Sequence, residues 1–491
     1  MSAHESGSSP LRFTAEDLDR FASCTGDRSP LSMNEEYARR TPYGERVVFG
    51  VLVVLRALAA VAPEGAYRVA SLKVRFQRPL HPGRDYQLHC KKTANGGVDA
   101  RVLGASGALY TRIQARFQAI AEAPALREVE SSPGPATPAT AYEDRAISDL
   151  RFALSADRLG PLVDLCGPAL AFTPDVAPLI WGSVFVGMTA PGESAYLASL
   201  ELTARFDAES RNEVTWSSVS VETDDRFRMA TITAVSPACE LSLQAVSRPP
   251  PVALTWTDAT AAAIPEDARS KRILVTGAAR GFGLALTLAA SRSGMSAIGA
   301  VRKRTDSLAE MERAAAADAC ALAFHEADLS DPEKTSALAG LSGPAIDVLV
   351  LSASPPIQEI PLLDQPPGYA SSFVQRSVDL TMSPLLALLP SMPVGATIVF
   401  VSSAFVTSPP KNLAHYVAAK TAIESLLRGL AAEHPSHRFV IARPGKMLTD
   451  QTNGTNPQGI ALPSPFDVAR RLLEAAFAPG ETGNLITLDD L

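Results

Sequence analysis

The residues best suited to chemistry lie late in the sequence. Tyr416 and Lys420 are four positions apart, so on a helix they share one face. A free phenol has a pKa of about 10 and is a poor proton donor near neutral pH. An ammonium group a few ångströms away favours the phenolate and lowers that pKa. Ser403 lies upstream and can hydrogen-bond the same oxygen. The set suits carbonyl reduction, with a hydride delivered to carbon and a proton passed from Tyr416 to oxygen.

A glycine-rich segment precedes these residues. K-R-I-L-V runs into T-G-A-A-R-G-F-G, from Thr276 to Gly283, and then into a helical pattern. Gly277 permits a tight turn, while Gly281 and Gly283 let the backbone approach a pyrophosphate at the start of a helix, where free N–H groups favour an anion. The order of strand, turn and helix predicts a dinucleotide site. The alternative is a glycine-rich turn without a ligand.

The end of the next strand distinguishes between the two nicotinamide cofactors. An Asp or Glu there would bind the ribose 2′-hydroxyl of NAD, but A-V-R-K-R at 300–304 contains no acid. Arg302, together with Arg280 in the turn, matches a 2′-phosphate, because guanidinium groups bind phosphate through paired hydrogen bonds. The sequence therefore predicts NADP(H). For Arg302 alone, the alternative is a solvated surface arginine.

Two proline-rich stretches, at 121–140 and 247–269, are typical of linkers. They divide the chain into three predicted domains, 1–120, 141–248 and 270–491. In the third, strand candidates alternate with helical patterns, which predicts an α/β domain with a parallel sheet and crossover helices. These candidates are 272–276, 297–301, 347–351, 397–401 and 438–442.

The first two pieces resemble each other. D-R-S-P-L from Asp27 is matched by D-R-L-G-P-L from Asp157, F-G at 49–50 by W-G at 181–182, and A-Y-R-V-A-S-L by A-Y-L-A-S-L. Three landmarks in one order indicate a duplicated unit. Each unit has one long apolar helix candidate followed by strand candidates. This pattern predicts an α+β fold in which an antiparallel sheet wraps a helix.

Composition limits the classes of function. The chain has 491 residues, a formal net charge of −7 and no dense basic run, which argues against nucleic acid as a partner. Its five cysteines form no C-x-x-C pair, which predicts reduced thiols, a cytoplasmic location and no metal site. The N-terminus lacks a signal sequence, and the most apolar run, 47–55, suits a buried helix and is too short to span a membrane.

With these motifs, the third piece resembles the short-chain dehydrogenase/reductase family. The resemblance implies a Rossmann-type doubly wound sheet in which Tyr416 is the acid/base. It also implies that Lys420 binds the nicotinamide ribose and that Ser403 orients the carbonyl. Further cofactor-binding positions implied by the family are Phe282, Asp328, Leu329, Ser352, Ala353, Pro444, Gly445 and Thr449.

The third piece departs from the family pattern at two places. The family's N-N-A-G is L-S-A-S at 351–354, and its supporting Asn is Asp379. An Asp can also hold a water in the proton relay, but its charge near Lys420 would alter the pKa of Tyr416. These departures motivate an alternative in which the domain binds NADPH without turnover.

The first piece resembles the MaoC-like hydratase/dehydratase family over the segments 13–38, 42–50 and 76–86, and the second resembles it through the repeat. The resemblance implies two hotdog units that bind acyl thioesters. The family motif G-D-x-N-P-(I/L)-H reads G-D-R-S-P-L-S here. Asp27 is therefore present, whereas Ser32 stands in the position of the histidine.

The missing histidine affects the chemistry, because dehydration needs a base for the α-proton and an acid for the leaving hydroxyl. The second unit has Val163 at the position expected to be equivalent. His81 and His89 are expected to be ordinary surface or half-buried residues. We therefore expect a dehydratase-like half without catalysis. The alternatives are an altered lyase that uses Asp27, and an Asp27 that serves only as a cap or turn residue.

These features together predict an NADP(H)-dependent ketoreductase behind a double hotdog. The substrate implied by both resemblances is a 3-oxoacyl or 3-hydroxyacyl thioester, on coenzyme A or an acyl carrier protein, in fatty-acid-like or polyketide-like assembly. A homodimer or homotetramer is expected, and a bifunctional reductase–dehydratase is the main alternative.

Overall fold

The computed structural model describes residues 6–132, 137–205, 210–341, 344–454, 461–478, 484–489 and 491. Contacts divide the chain into two compact units. Unit 1 runs to Pro250 and includes Leu363–Pro366 and Gly454, and unit 2 contains Pro251–Leu362, Pro367–Asn453 and the described residues from 461 onward. Unit 1 is α+β with an antiparallel sheet and unit 2 is α/β with a parallel sheet, so the predicted fold class is confirmed.

The described part of unit 1 forms a ten-stranded antiparallel sheet. Its strands are β1 (Ser6–Arg12), β2 (Tyr67–Phe76), β3 (Asp85–Lys92), β4 (Gly97–Leu103), β5 (Leu109–Ala119), β6 (Arg145–Ala153), β7 (Ala195–Ala204), β8 (Glu213–Asp224), β9 (Met229–Val235) and β10 (Cys239–Ser247). Its helices are α1 (Ala15–Thr25), α2 (Pro30–Met33), α3 (Glu35–Arg39), α4 (Gly50–Val61), α5 (Ala156–Cys166) and α6 (Val176–Val184). A π-helical turn, Phe185–Thr189, continues α6.

The strand order of unit 1 shows two halves of the same topology. It reads β1-β3-β4-β5-β2 and then β7-β10-β9-β8-β6, so the second half repeats the first in reverse. The halves meet where β2 pairs with β7, with Leu72 opposite Leu202 and Val74 opposite Leu200. All four side chains are buried, because alternate residues of a strand face the same side of the sheet. The duplication predicted from the sequence is present.

Some residue equivalences predicted for the repeat are wrong. Helices α1 and α5 occupy equivalent places in the two halves, and each ends at a glycine. Asp27 follows α1, whereas Asp157 lies in the first turn of α5. Val163 lies inside α5 and is therefore not the counterpart of Ser32. The similarity between D-R-S-P-L and D-R-L-G-P-L is therefore accidental. The segments A-Y-R-V-A-S-L and A-Y-L-A-S-L, by contrast, lie at the starts of β2 and β7 and are structurally equivalent.

The central helix of the first half forms close to where the apolar run predicts it. Helix α4 begins at Gly50, three residues after the start of the run, because the N–H of Val48 is bonded to the carbonyl of Leu80 at 2.8 Å. The residues Val51–Leu55 are fully buried. The helix is apolar on all sides, which is typical of a helix wrapped by a sheet.

The described part of unit 2 forms a seven-stranded parallel sheet in the order β13-β12-β11-β14-β15-β16-β17. Its strands are β11 (Arg272–Thr276), β12 (Ser296–Val301), β13 (Leu322–Glu326), β14 (Val348–Leu351), β15 (Thr397–Val401), β16 (Arg438–Ala442) and β17 (Leu485–Leu488). Its helices are α7 (Glu266–Arg269), α8 (Gly281–Arg292), α9 (Asp306–Ala317), α10 (Pro332–Ser336), α11 (Tyr369–Leu388), α12 (Ala414–Glu433) and α13 (Pro465–Ala476).

The topology of unit 2 creates a crevice at the carboxyl ends of two strands. The chain proceeds outward from β11 through β12 to β13 and then returns to β14, which lies beside β11. Connections leave in opposite directions at such a switch point, and ligands of doubly wound sheets bind there. All five strands predicted from the sequence are present, whereas β13 and β17 were not predicted.

The stretch 247–269, predicted to be a linker, packs onto unit 2 from Pro251 onward. Trp256 is buried, and its indole N–H donates to Asp318 Oδ2 at 2.8 Å. The guanidinium of Arg292 lies 4.0 Å from the centre of the same ring. Trp256 therefore helps to anchor a proline-rich stretch that is mostly without helix or strand, together with Ala259, Ala262 and Ile264 of the same buried cluster. The division of the chain into three domains stays a prediction.

We expect Leu52→Ala on α4 to lower the free energy of unfolding of unit 1 by about 2–5 kcal/mol, because Leu52 has no exposed surface and truncation leaves a cavity. Denaturant unfolding measures the loss. Leu126→Ala is the matched control, since Leu126 is 40% exposed, and it should cost less than about 0.5 kcal/mol. Equal losses in the two variants would contradict a core centred on α4.

Candidate active site

The turn after β11 approaches the end of β14 closely. Gly277 has a φ of +71°, and a Cβ atom built on it would lie 2.8 Å from the Cα of Ala353. The hydroxyl of Thr276 accepts hydrogen bonds from the N–H groups of Ser352 and Ala353 at 3.0 and 3.3 Å. The structure thus brings together Gly277, Ser352 and Ala353, which were predicted from separate motifs. Only glycine fits the turn.

The other two glycines shape the start of α8. Gly281 has a φ of +56° and is the first residue of the helix. A Cβ on Gly283 would lie 2.4 Å from the carbonyl oxygen of Gly277, so this position also excludes a side chain. The nearest side chain above Gly281 is that of Thr449, 3.8 Å away. The helix begins beside a cradle of bare backbone, which fits a pyrophosphate.

The two predicted phosphate-binding arginines have different neighbours. Arg302 directly follows β12 and is exposed. Its charge helps to lower the pKa of Asp328, after the hydrogen bonds from Ser330 and the charge of Lys334. Arg280 precedes α8 and forms an ion pair with Asp450 at 3.8 Å. The structure thus places Arg302 near Asp328, another of the predicted cofactor-binding residues.

The remaining predicted cofactor positions have structural partners. Phe282 and Leu329 pack against buried apolar residues of unit 2. The carbonyl of Pro444 accepts the N–H of Ala404 at 3.0 Å, which ties the loop after β16 to the loop after β15. No atom within 4 Å would meet a Cβ on Gly445, so this loop leaves open space.

The three predicted catalytic residues converge at the end of β15 and the start of α12. Ser403 follows β15, and its hydroxyl lies near enough to the phenol of Tyr416, in the first turn of α12, to lower the pKa of that phenol. Lys420 lies one turn further along and is buried. Its ammonium donates to the carbonyl of Val401 at 2.7 Å and lies 5.7 Å from the centre of the Tyr416 ring. The arrangement can donate a proton at one oxygen beside a fixed positive charge.

The pKa values correct one expectation from the sequence. Desolvation raises the pKa of Tyr416, and the nearby hydroxyl of Ser403 only partly offsets this effect. Desolvation also lowers the pKa of Lys420 to about 8, against the opposing charge of Glu424. The predicted lowering of the phenol pKa by Lys420 is therefore wrong for this structure, because burial dominates and the ammonium bonds to a backbone carbonyl rather than to the phenol.

Asp379 is not brought into this group. It lies on α11, is exposed, and accepts a hydrogen bond from Gln375 at 2.8 Å. It is not among the charges that shift the pKa of Tyr416 or Lys420, so the expected effect on the phenol is wrong. Its carboxylate is bonded instead to the side chain of Gln375, one turn earlier on α11. A part in a water relay stays a prediction for this residue.

Unit 1 buries the second predicted site around a carboxyl group. Asp27 is 1% exposed, and desolvation raises its pKa. One oxygen accepts the N–H of Ser29 at 3.0 Å and also the hydroxyl of Ser29, and the other accepts the hydroxyl of Ser183 at 2.7 Å. Three hydrogen bonds therefore hold the carboxyl, and one of them comes from the second repeat.

Asp27 and Ser32 line the same cavity of about 260 Å³. Its other walls are mostly apolar, with side chains from both repeats; they include Leu31, Val48, Phe49, Val53, Leu80 and Val186. Gly187 in the π-helical turn permits the close approach, because a Cβ there would lie 1.8 Å from the hydroxyl of Ser29. Sequence reasoning missed Ser183 and Gly187, since nothing in their local sequence marks a contact across the repeat.

No imidazole is among the described residues that line this cavity. His81 is fully buried rather than on the surface, with its ring beside Glu45 and the carbonyl of Arg46, and desolvation lowers its pKa to about 3. His89 is exposed on β3. Ser32 is buried, and its carbonyl accepts from Arg46. The cavity therefore offers a carboxyl and hydroxyls, but no base of histidine type.

Two family models match separate segments of the chain. Residues 271–459 match the model of the short chain dehydrogenase family, and residues 4–112 match the model of the MaoC like domain. Both resemblances inferred from the sequence are thus confirmed for these segments. No curated protein matches the chain. Among the described residues, no helix is long and apolar enough to cross a membrane, and no group of His, Cys, Asp and Glu is placed to hold a metal ion.

Several solved structures are similar to part of this chain. A short chain dehydrogenase from Escherichia coli CFT073, complexed with NADPH, is 24% identical, with 46% of this chain and 98% of that chain covered and a TM-score of 0.41. A short chain dehydrogenase from Pseudomonas syringae is 25% identical, with 46% and 98% covered and a TM-score of 0.41. One from Burkholderia cenocepacia J2315 in complex with NADP is 22% identical, with 45% and 96% covered and a TM-score of 0.40.

We expect Asp27→Asn to stabilise unit 1 at about pH 8 and to have little effect near pH 4. The raised pKa means that folding keeps a proton on Asp27 that the unfolded chain releases above about pH 4, which costs stability as the pH rises. Asparagine removes this cost and keeps the shape. Denaturant unfolding across this pH range measures the difference.

Asp85→Asn is the control for this series, because its side chain is 74% exposed and is paired only with Arg12 at the surface. A stability difference for Asp27→Asn that does not change with pH would show that Asp27 is ionised in the folded protein.

Proposed function

We propose that this chain is an NADP(H)-dependent ketoreductase that acts on 3-oxoacyl thioesters, and that its double hotdog does not dehydrate the product. The observation that carries the proposal is the convergence of Ser403, Tyr416 and Lys420 beside the glycine cradle of β11 and α8. The match of residues 271–459 to the short chain dehydrogenase family supports the same reaction class.

The residues of the crevice fit a nicotinamide dinucleotide phosphate. Gly277 and Gly283 leave no room for side chains where the backbone would approach a pyrophosphate, and Gly281 adopts a positive φ at the first residue of α8. Arg302 is exposed at the end of β12, where a 2′-phosphate is expected. The dinucleotide-bound relatives from Escherichia coli and Burkholderia cenocepacia are consistent with this preference. When bound, the reduced cofactor supplies the hydride.

The side chains of the site supply the proton, orient the carbonyl and stabilise the phenolate. The phenol of Tyr416 is protonated near neutral pH, because burial raises its pKa, so it can donate a proton to the oxygen of a bound ketone. The hydroxyl of Ser403 lies near the phenol of Tyr416 and can orient the substrate by a hydrogen bond to the ketone oxygen. The ammonium of Lys420 stabilises the phenolate that remains after the transfer.

The substrate class rests on both units. The first half of unit 1 matches the MaoC like domain, and the carboxyl of Asp27 lines a mostly apolar cavity in this unit. An acyl chain on coenzyme A or an acyl carrier protein suits such a cavity, in fatty-acid-like or polyketide-like assembly. The protein is proposed to be cytoplasmic and to form a homodimer or homotetramer, since Leu386 and Leu426 leave exposed apolar surface on α11 and α12.

A bifunctional reductase–dehydratase is the second candidate, favoured by the position of Asp27 in the cavity wall. The lining of the cavity argues against this role, because dehydration needs a second acid/base group and none of the described lining residues carries an imidazole. Mass analysis of the product separates the two candidates. A 3-hydroxyacyl product supports a silent hotdog, and an enoyl product that disappears in Asp27→Asn supports the bifunctional protein.

We expect Tyr416→Phe to lower kcat by about 10²–10⁴ with a short 3-oxoacyl thioester, since it removes the proton donor. NADPH absorbance measures turnover, and NADPH binding should be unchanged. Tyr142→Phe, in unit 1, is the control and should keep full activity. Wild-type protein that binds NADPH without consuming it across acyl thioesters would contradict the proposed reaction.

Replacement of Arg302 by alanine should weaken NADPH binding by about 10- to 100-fold, because a charge-assisted contact to phosphate is lost. NADH binding should change little, since NADH lacks the 2′-phosphate. Kd values from fluorescence titration measure both effects. The neighbouring exposed Lys303→Ala is the matched control. Equal losses for the two cofactors would assign Arg302 to a general role in folding or charge.

A further inference from the structure

Two hydrogen bonds join the end of β15 to successive turns of α12. The carbonyl of Val401 accepts from Lys420 Nζ at 2.7 Å, and the hydroxyl of Ser402 donates to Glu424 Oε1 at 2.6 Å. The next residue, Ser403, lies near the phenol of Tyr416 and lowers its pKa. Tyr416, Lys420 and Glu424 lie at intervals of four residues and therefore share one face of the helix.

Glu424 is a buried, fully bonded carboxylate. It is 3% exposed, and besides Ser402 it accepts hydrogen bonds from Arg443 Nε at 2.9 Å and Nη2 at 2.6 Å. Arg428 lies 3.6 Å from the same group. Burial alone would raise the pKa of Glu424, but the hydrogen bonds from Arg443 and Ser402 bring it below its usual range. Glu424 is therefore ionised at neutral pH.

The charge of Glu424 acts on Lys420. Burial lowers the pKa of Lys420 to about 8, and Glu424 is the one charge that opposes this effect. On α11, which packs against α12, the nearest titratable groups are engaged elsewhere: Arg376 donates to the carbonyl of Ser372, and Asp379 accepts from Gln375. Arg443, directly after β16, is paired with Glu424 itself.

We propose that Glu424 is a positioning residue of the reductase site, which holds the end of β15 against α12 and keeps the ammonium of Lys420 charged while Tyr416 transfers its proton. The effect on catalysis rests on the proposed function. The effect on Lys420 does not, because it follows from the contacts within α12 and β15. Glutamate at this position therefore supports a charge one turn away without touching the reacting atoms.

The sign of the effect follows from the charges. Without the carboxylate, burial of Lys420 is no longer opposed, so its pKa falls further below about 8. The ammonium is then lost at a lower pH. Loss of this charge disfavours the phenolate of Tyr416, so activity should decline at a lower pH than in the wild-type protein.

The test compares Glu424→Gln with Glu433→Gln in the full chain. Glu433 is an exposed carboxylate at the end of the same helix and is the matched control. NMR of protein labelled with ¹³C at the lysine Cε carbons follows the titration of Lys420, which is assigned by its absence in Lys420→Arg. We expect the midpoint to move down by roughly one pH unit in Glu424→Gln and to stay unchanged in Glu433→Gln.

Activity provides an independent readout. The alkaline limb of kcat against pH, followed by NADPH absorbance, should move by the same amount as the NMR midpoint. A Lys420 titration that is unchanged in Glu424→Gln would overturn the proposal. A shifted titration in a protein whose wild type consumes no NADPH would refute the reductase function and leave the assignment of Glu424 to Lys420 in place.

Glu424→Asp separates charge from shape. It keeps the negative charge but shortens the reach to Ser402, so we expect a Lys420 titration close to that of the wild type and a lower melting temperature. If Glu424→Gln fails to fold, this second variant still tests the proposal. A titration shift in Glu424→Asp as large as the expected shift for glutamine, or an unshifted alkaline limb beside a shifted midpoint, would also overturn it.

Discussion

The bonds between the end of β15 and α12 are the contact on which the candidate active site depends. They hold a buried lysine and a buried glutamate on adjacent turns of one helix, bonded to Val401 at the end of the strand and to Ser402 directly after it. An unpaired charge in such a place would be strongly unfavourable. Pairing of Glu424 with Arg443 makes this burial tolerable, and Arg443 directly follows the neighbouring strand β16. The geometry of Tyr416 is therefore supported by side chains that do not react.

A related constraint operates in unit 1, where a single carboxyl is held by both repeats. Asp27 belongs to the first repeat, but Ser183 and the bare backbone at Gly187 come from the second. The second repeat has the same strand order as the first, but the two repeats differ in the residues around helices α1 and α5. Its contribution to the cavity explains why a repeat without its own acidic motif is still needed for the site.

The two sites differ in the groups they offer for proton transfer. In unit 2, the proposed reaction passes one proton from Tyr416 to a carbonyl oxygen beside the charge of Lys420. In unit 1, three hydrogen bonds to Asp27 do not outweigh the effect of burial, which raises the pKa of the carboxyl. Dehydration needs an acid as well as a base, and none of the described residues that line the cavity carries an imidazole. This difference in side chains is the physical basis for proposing that the reaction takes place in unit 2.

The sequence by itself determined both folds, the glycine cradle and the residues Ser403, Tyr416 and Lys420, because each depends on local spacing or on the order of elements. It also indicated the duplication, through the strands β2 and β7. Tertiary structure alone decided what surrounds these residues. The burial that raises the pKa of Tyr416 and the contacts of Glu424 and Ser183 depend on residues distant in the chain, and the packing of α11 leaves Asp379 exposed. Hydrophobic periodicity predicts which faces of helices and strands are buried, but it gives no signal for the burial of a single polar side chain or for its distant partner, so only the packed structure could reveal them.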